Sequence, residues 1–198
     1  VRVTDAAGNL SQKYSGDGII VDLTAPITGT IIDGLTTELS YTGSNSVLSS
    51  SWQGFSDGIS GIDYYEYAIG STAGTSDIFD WTNIALDSAV TTTALNLSHA
   101  NTYYQSVRAV DLVSNVSSVV TTNGITVDLS VPETGIVIDG FEVDQYWTNS
   151  TTDLILSWSG FQDTTSGIAN YQLSIGTVAG SNNVLPWVDL DTATATNQ

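Results

Sequence analysis

The residues that could do chemistry in this chain are almost all carboxylates. Asp22 stands in VDLTAP, Asp57 in SDGISG and Asp111 in DLVSN, while Asp128 and Asp163 stand in later copies of the first two segments. In all, 21 acidic residues face only Arg2, Lys13 and Arg108, for a net charge of −18. Grouped carboxylates bind hard divalent cations, calcium above all, which takes oxygen ligands only. The same surface repels nucleic acid and anionic lipid, whose phosphates need clustered Lys and Arg. Acid residues in turns also have a plainer use, since Asp and Asn bond their own backbone there, and a high like charge keeps a protein soluble. Both readings stay open at this point.

Catalysis fits badly. His99 is the sole histidine, Lys13 the sole lysine, and there is no cysteine, so triads, His-rich metal sites and thiol nucleophiles lack parts. Carboxylate pairs of the glycosidase kind are conceivable, but the acids lie in turns and linkers with no cleft implied. The expectation is a protein that is not an enzyme.

Those acids must be positioned by strands and turns. Thr, Ser, Val, Ile, Tyr and Gly recur, and the residues that fill helices are scarce, so the expected class is all-β. An apolar content of 41% suffices for a packed core. The lack of cysteine excludes a disulfide framework and leans toward a bacterial rather than an animal secreted protein. No apolar run reaches the roughly eighteen residues of a membrane span, and no leader stands at the start, so this segment is expected to make no membrane contact, with any export signal or anchor lying outside it.

Slid against itself by 106 residues, the chain matches without a gap, and roughly a third of the aligned positions are identical. Val1-Arg2 returns as Val107-Arg108, Val21-Asp22-Leu23 as Val127-Asp128-Leu129, Ser51-Trp52 as Ser157-Trp158, and Trp81 as Trp187. Pro26 and Pro132 punctuate the copies, because proline suits a linker or an edge strand. Cutting there predicts the last two strands of one repeat in 1–24, a complete repeat in 25–130, and the first part of another in 131–198. Such a sequence reads as a window on a longer array whose repeats contact their neighbours. Period-two runs place strands at Tyr65-Tyr67-Ile69, Leu95-Leu97, Tyr103 to Ala109 and Val119 to Val127. Seven strands, A to G, are expected in each repeat.

Trp52, and the passage LNLSHANTYYQSVRAVD with Leu97, Tyr103, Val107 and Ala109, resemble strand B and the E-to-F passage of fibronectin type III domains. The resemblance implies tandem seven-stranded sandwiches, with Tyr103 as the tyrosine corner and Trp52 and Trp158 in the core. His99-Ala100 replaces the usual Pro-Gly. The repeats look most like those of giant bacterial surface adhesins and gliding filaments, which also carry SGI..Y..IG and VD.TAP. In that topology the incoming linker meets the BC and FG loops, which would join Asp22, Asp57 and Asp111, and at the next junction Asp128 and Asp163. Calcium is the cation this set would take, with Asn115 or Asp63 adding an oxygen, whereas ordinary turns account for each acid singly. Asp33-Gly34 and Asp139-Gly140 read as turns at the opposite pole.

Function is then expected to be structural: spacer repeats that project an adhesive or motility tip from a cell surface. The partners are neighbouring repeats, and a glycan or protein ligand at a tip outside this segment. The alternatives are a carbohydrate- or protein-binding array using Trp81, Trp187 and Trp147, or an accessory module of a secreted enzyme. Asn9, Asn96, Asn115 and Asn149 begin N-glycosylation sequons, and Asp87-Ser88-Ala89 and Asp191-Thr192-Ala193 resemble an O-glycosylation signal.

Overall fold

In the computed structural model, which describes residues 1–192 and 195–197, every regular element is a strand. One sheet holds β1 (Thr30–Asp33), β3 (Leu48–Gln53) and β6 (Ala89–Thr92). The facing sheet holds β2 (Tyr41–Thr42), β4 (Ile62–Gly70), β5 (Phe79–Asn83), β7 (Thr102–Asp111) and β9 (Ile125–Val127), in the order β2-β9-β7-β4-β5, with β8 (Val120–Thr121) on β7. All pairings here are antiparallel except β2 with β9. This is a fibronectin type III-like sandwich in which the first and last strand positions are each broken in two.

The pleat explains the core. In β3, Leu48, Ser50 and Trp52 point inward and Ser49, Ser51 and Gln53 outward. Trp52 meets Tyr65 edge-on at 5.8 Å and lies parallel to Tyr67 at 6.3 Å. Ile31, Ile69, Leu97, Tyr103, Val107, Ile125 and Val127 close around them, each contributing roughly 1.5–3 kcal/mol on burial. The first strand position breaks at Gly34, whose φ is +111° and where a Cβ would lie 2.4 Å from Thr37 O. Beyond it the chain crosses to the other sheet as β2.

The structure shifts one strand. Strand E is β6, Ala89–Thr92, and Leu95 and Leu97 lie beyond it in the E-to-F connection. Their N–H groups bond Ser46 O and Asn45 O, and Leu97 still packs in the core. Burial at period two thus came from a connection drawn across the sandwich end, a pattern that a strand would also give. Tyr103 Oη accepts a hydrogen bond from Ser98 N at 2.9 Å and secures that connection.

A second set of strands repeats the first: β10 (Ile136–Asp139), β11 (Ile155–Ser159), β12 (Gln172–Ile175), β13 (Leu185–Asp189) and β14 (Ala195–Asn197). β10, β11 and β14 pair in that order, and β12 pairs with β13. Ile136 faces Ser159 as Thr30 faces Gln53, so even the register recurs. Trp158 and Phe161 clasp Tyr171 at 5.7 and 5.9 Å, copying Trp52, Phe55 and Tyr65. Ahead of the complete sandwich, residues 1–21 are exposed throughout. Pro26 is buried at the start of the sandwich, whereas Pro132, at the same place in the second copy, is exposed.

Candidate metal centre at the linker junction

The incoming linker, the BC loop and the FG loop meet at one pole of the sandwich. There Asp22, Asp57 and Asp111 each offer a carboxylate oxygen, and the three atoms lie within 4.8 Å of one another. Oxygens arranged around one calcium ion at about 2.4 Å lie no more than about 4.8 Å apart, so one ion could reach all three. Asp22 and Asp111 are buried and Asp57 half-buried. Among the described residues no ion pair involves any of them.

Each carboxylate is aimed by its own loop. Asp57 Oδ1 accepts from the N–H groups of Ile59, Ser60 and Gly61 at 3.0, 2.9 and 2.9 Å. That convergence turns the chain through Gly61, whose φ is +81°. Asp111 Oδ1 accepts from Val113 N and Asn115 N, and its Oδ2 from Asn115 Nδ2 at 2.8 Å. Asp22 Oδ1 takes the Thr24 N–H and hydroxyl, and Oδ2 takes Ser60 N at 3.1 Å, which ties linker to BC loop.

These bonds hold the charge in place. The Thr24 hydroxyl, followed by the Thr24 N–H and Ser60, lowers the Asp22 carboxyl to about 2. Burial works to raise Asp111, but the bonds from Asn115 and Val113 outweigh it and leave it below the ordinary value. The Ser60 hydroxyl, shielded from solvent, acts on both of these acids. Asn115 presents amide N–H rather than oxygen to the linker, through Nδ2 to Asp22 O at 3.5 Å. Asp63 is exposed and stands outside the cluster.

The next junction repeats the arrangement. Asp128 Oδ1 takes the Ser130 N–H and hydroxyl, and Asp163 Oδ1 takes Thr165 N, Ser166 N and Gly167 N. Ser130 Oγ also bonds Asp163 Oδ2 at 3.3 Å. The Ser130 hydroxyl, then that of Ser166, lowers Asp128 to about 2. Asp163 is lowered by the Ser166 N–H against an opposing effect of burial. Asp128 also lies 3.6 Å from His99 Nδ1, which accepts from Leu129 N.

Asp33 corrects the sequence reading. The turn at Asp33-Gly34 is present, with Asp33 O accepting from Leu39 N at 2.8 Å, but the Asp33 carboxylate is fully buried, with Oδ1 accepting from Gln105 Nε2 at 2.7 Å and Oδ2 from Gly124 N at 3.2 Å. Gln105 Oε1 in turn accepts from Tyr67 Oη at 2.5 Å. Desolvation raises the Asp33 carboxyl despite the Gln105 bond. Its counterpart Asp139 is exposed, and the second copy has Leu173 where Tyr67 stands.

The aromatic platform is taken by the protein itself. The Arg108 guanidinium lies 4.5 Å over the Trp81 ring and bonds Glu66 at 2.6 Å. Trp187 and Trp147 are 60% and 91% exposed. Among the sequons, Asn9, Asn96 and Asn149 are exposed, and the Asn9 and Asn115 amides are bonded to Asp5 and Asp111. Of the second O-glycosylation segment, Ala193 lies outside the described residues.

No family model and no curated protein matches the chain. Among solved structures it is similar to the crystal structure of the chicken CNTN1 FN1-FN3 domains, at 15% identity and a TM-score of 0.43 over 99% of this chain. It spans 64% of the length of that chain. The fibronectin type III-like assignment rests on the strand order and pairing. Among the described residues no helix is long and apolar enough to cross a membrane.

Proposed function

We propose that the chain is a structural spacer segment of a long extracellular surface protein of the adhesin or filament kind, stiffened at its repeat junctions by bound calcium. The observation that carries the reading is the meeting of linker, BC loop and FG loop through Asp22, Asp57 and Asp111. A carboxylate set confined to one loop would hold only that loop, whereas this set joins the linker to the body of the sandwich. Three carboxylate oxygens held close, with no protein cation paired to them among the described residues, favour a divalent ion there. The same linker and BC-loop acids return as Asp128 and Asp163, as expected for a device that sets the angle at each junction. The domain division at residues 24/25 and 130/131 belongs to this reading.

Thermal unfolding of the chain with calcium, with chelator, and with magnesium as a control for ionic strength tests it. Calcium is expected to raise the melting temperature of the native chain and to leave the Asp22→Ala, Asp57→Ala, Asp111→Ala variant unchanged, because a ligand bound only to the folded state must stabilise it. Equal melting temperatures with calcium and chelator would overturn the calcium reading and leave proline and packing to stiffen the linker.

A further inference from the structure

Asn123-Gly124 is the one Asn-Gly pair in the chain. It forms the turn between β8 and β9, where Thr122 is buried, Asn123 exposed and Gly124 half-buried. The turn cannot do without its glycine. Gly124 has a φ of +98°, and a Cβ there would lie 2.7 Å from Thr102 Cγ2 and 2.8 Å from the Tyr104 ring. Asparagine suits the place before it, since its short polar side chain favours turns. The fold therefore imposes the residue that leaves the backbone nitrogen after Asn123 unshielded by any side chain.

Asparagine is one of the chemically labile residues, and the pair carries a reaction with itself. Gly124 N, once its proton has passed to water, attacks Asn123 Cγ. The new C–N bond closes an imide ring, and the Cγ–Nδ2 bond breaks to release ammonia. Water then opens the ring at either carbonyl, leaving aspartate or an isoaspartate whose main chain runs through the side chain and is longer by a methylene. In the folded chain this sequence is held off at its first step. Gly124 N donates to Asp33 Oδ2 at 3.2 Å, and Asp33 is itself held by Gln105, which is bonded to Tyr67. Removing the Gly124 proton would break that bond and set a negative nitrogen against a carboxylate. On the other side of Asn123, Thr122 N donates to Gln105 O at 2.9 Å and Thr122 Oγ1 accepts from Gln105 N at 3.1 Å. Both neighbours of Asn123 are thus pinned to the core, which keeps its side-chain carbon from swinging onto Gly124 N.

We propose that Asn123 is a self-modification site, closed while Asp33 holds Gly124 N and opened when the turn between β8 and β9 comes away from the core. It needs neither calcium nor a partner. Its two products differ in consequence. Aspartate fits the turn: the aligned pair in residues 1–24 is Asp17-Gly18, and Gly18 has a φ of +96° beside the +98° of Gly124. Isoaspartate does not fit. Its added methylene displaces Gly124 from Asp33 and shifts β9 against its neighbours, to which it is paired through Tyr103–Ile125, Thr102–Thr126 and Tyr41–Thr126. Because the ammonia is lost, the change runs one way, and an opening of the turn is written into the covalent chain.

Peptide mapping by mass spectrometry of the native chain, aged warm at mildly alkaline pH with and without denaturing urea, reads the site directly. In urea Asn123 is expected to lose its amide before any other asparagine, giving both aspartate and isoaspartate peptides. In buffer the loss should be roughly tenfold slower or more, because only the open fraction reacts. Asp33→Ala frees Gly124 N and should speed the loss in buffer, under conditions where β4 and β7 amides stay protected from hydrogen exchange. If that variant does not fold, sub-denaturing urea on the native chain takes its place, and amide loss at Asn123 and hydrogen exchange at Gly124 should rise together. Asn123→Asp should melt with the native chain, and the aged chain carrying isoaspartate below it. Another asparagine reacting first in urea would overturn the site. Equal rates in buffer and urea would overturn the latch, as would a folded Asp33→Ala chain that reacts no faster, or exchange at Gly124 that rises without amide loss.

Discussion

At the scale of single residues, carboxylates with the same reference value act in opposite senses. Asp22 and Asp128 are lowered to about 2 by hydroxyl and amide donors, so their bonds stabilise the fold above 3.8 and are lost as pH falls through about 2. Asp33 is raised by desolvation, so the folded state binds its proton more tightly than the unfolded chain does, and stability falls as pH rises from 3.8 through the raised value. Calcium-free melting curves should therefore show a small gain on mild acidification that Asp33→Asn lacks, then a loss below 3.8 shared by both. The Asp33–Gln105–Tyr67 chain gives a second test. Tyr67→Phe leaves Gln105 Oε1 without its donor in the core and should cost about 1–3 kcal/mol by denaturant unfolding. Asp33 reads as a turn residue in sequence because the partner that buries it lies 72 residues away, and no local pattern reports it.

At the scale of elements, the strands were legible where burial alternates with the pleat, as in β3, or where large side chains recur at period two, as Tyr65, Tyr67 and Ile69 do in β4 and Tyr103, Gln105 and Val107 do in β7. The E strand was not, because Leu95 and Leu97 keep the alternation while Ala94, with φ at +60°, has already turned the chain. What holds that connection is a single side chain, Tyr103, whose ring is in the core and whose hydroxyl receives Ser98 N. Tyr103→Phe should lose roughly 1 kcal/mol or more while keeping the packing, and hydrogen exchange at Ser98 should accelerate before any strand amide does. The grouping of Asp22, Asp57 and Asp111 follows from strand order once the topology is known, since antiparallel neighbours return each loop to the same pole. Asn115 stands near them as well, and there its amide N–H groups go to Asp111 Oδ2 and toward Asp22 O, an orientation set by the donors and acceptors around it.

At the largest scale, two copies of one pattern are buried to different extents within residues 1–192. The first buries Tyr67, Ile69, Val107 and Val127 completely, and the second leaves Leu154, Val137 and Trp187 substantially exposed. Hydrogen exchange of the dilute chain should show β4 and β7 amides opening only with global unfolding, and β11 and β12 amides exchanging far sooner. The sandwich also has its first and last strands side by side. β2 and β9 run parallel, joined by Thr126 N to Ser40 O at 2.9 Å and Asp128 N to Thr42 O at 2.8 Å. When the chain is pulled from both ends, these strands are dragged past each other lengthwise, so the bonds between them carry the load together instead of parting one at a time. A pull along the chain would therefore load these bonds in shear, together with the ladder between β1 and β3.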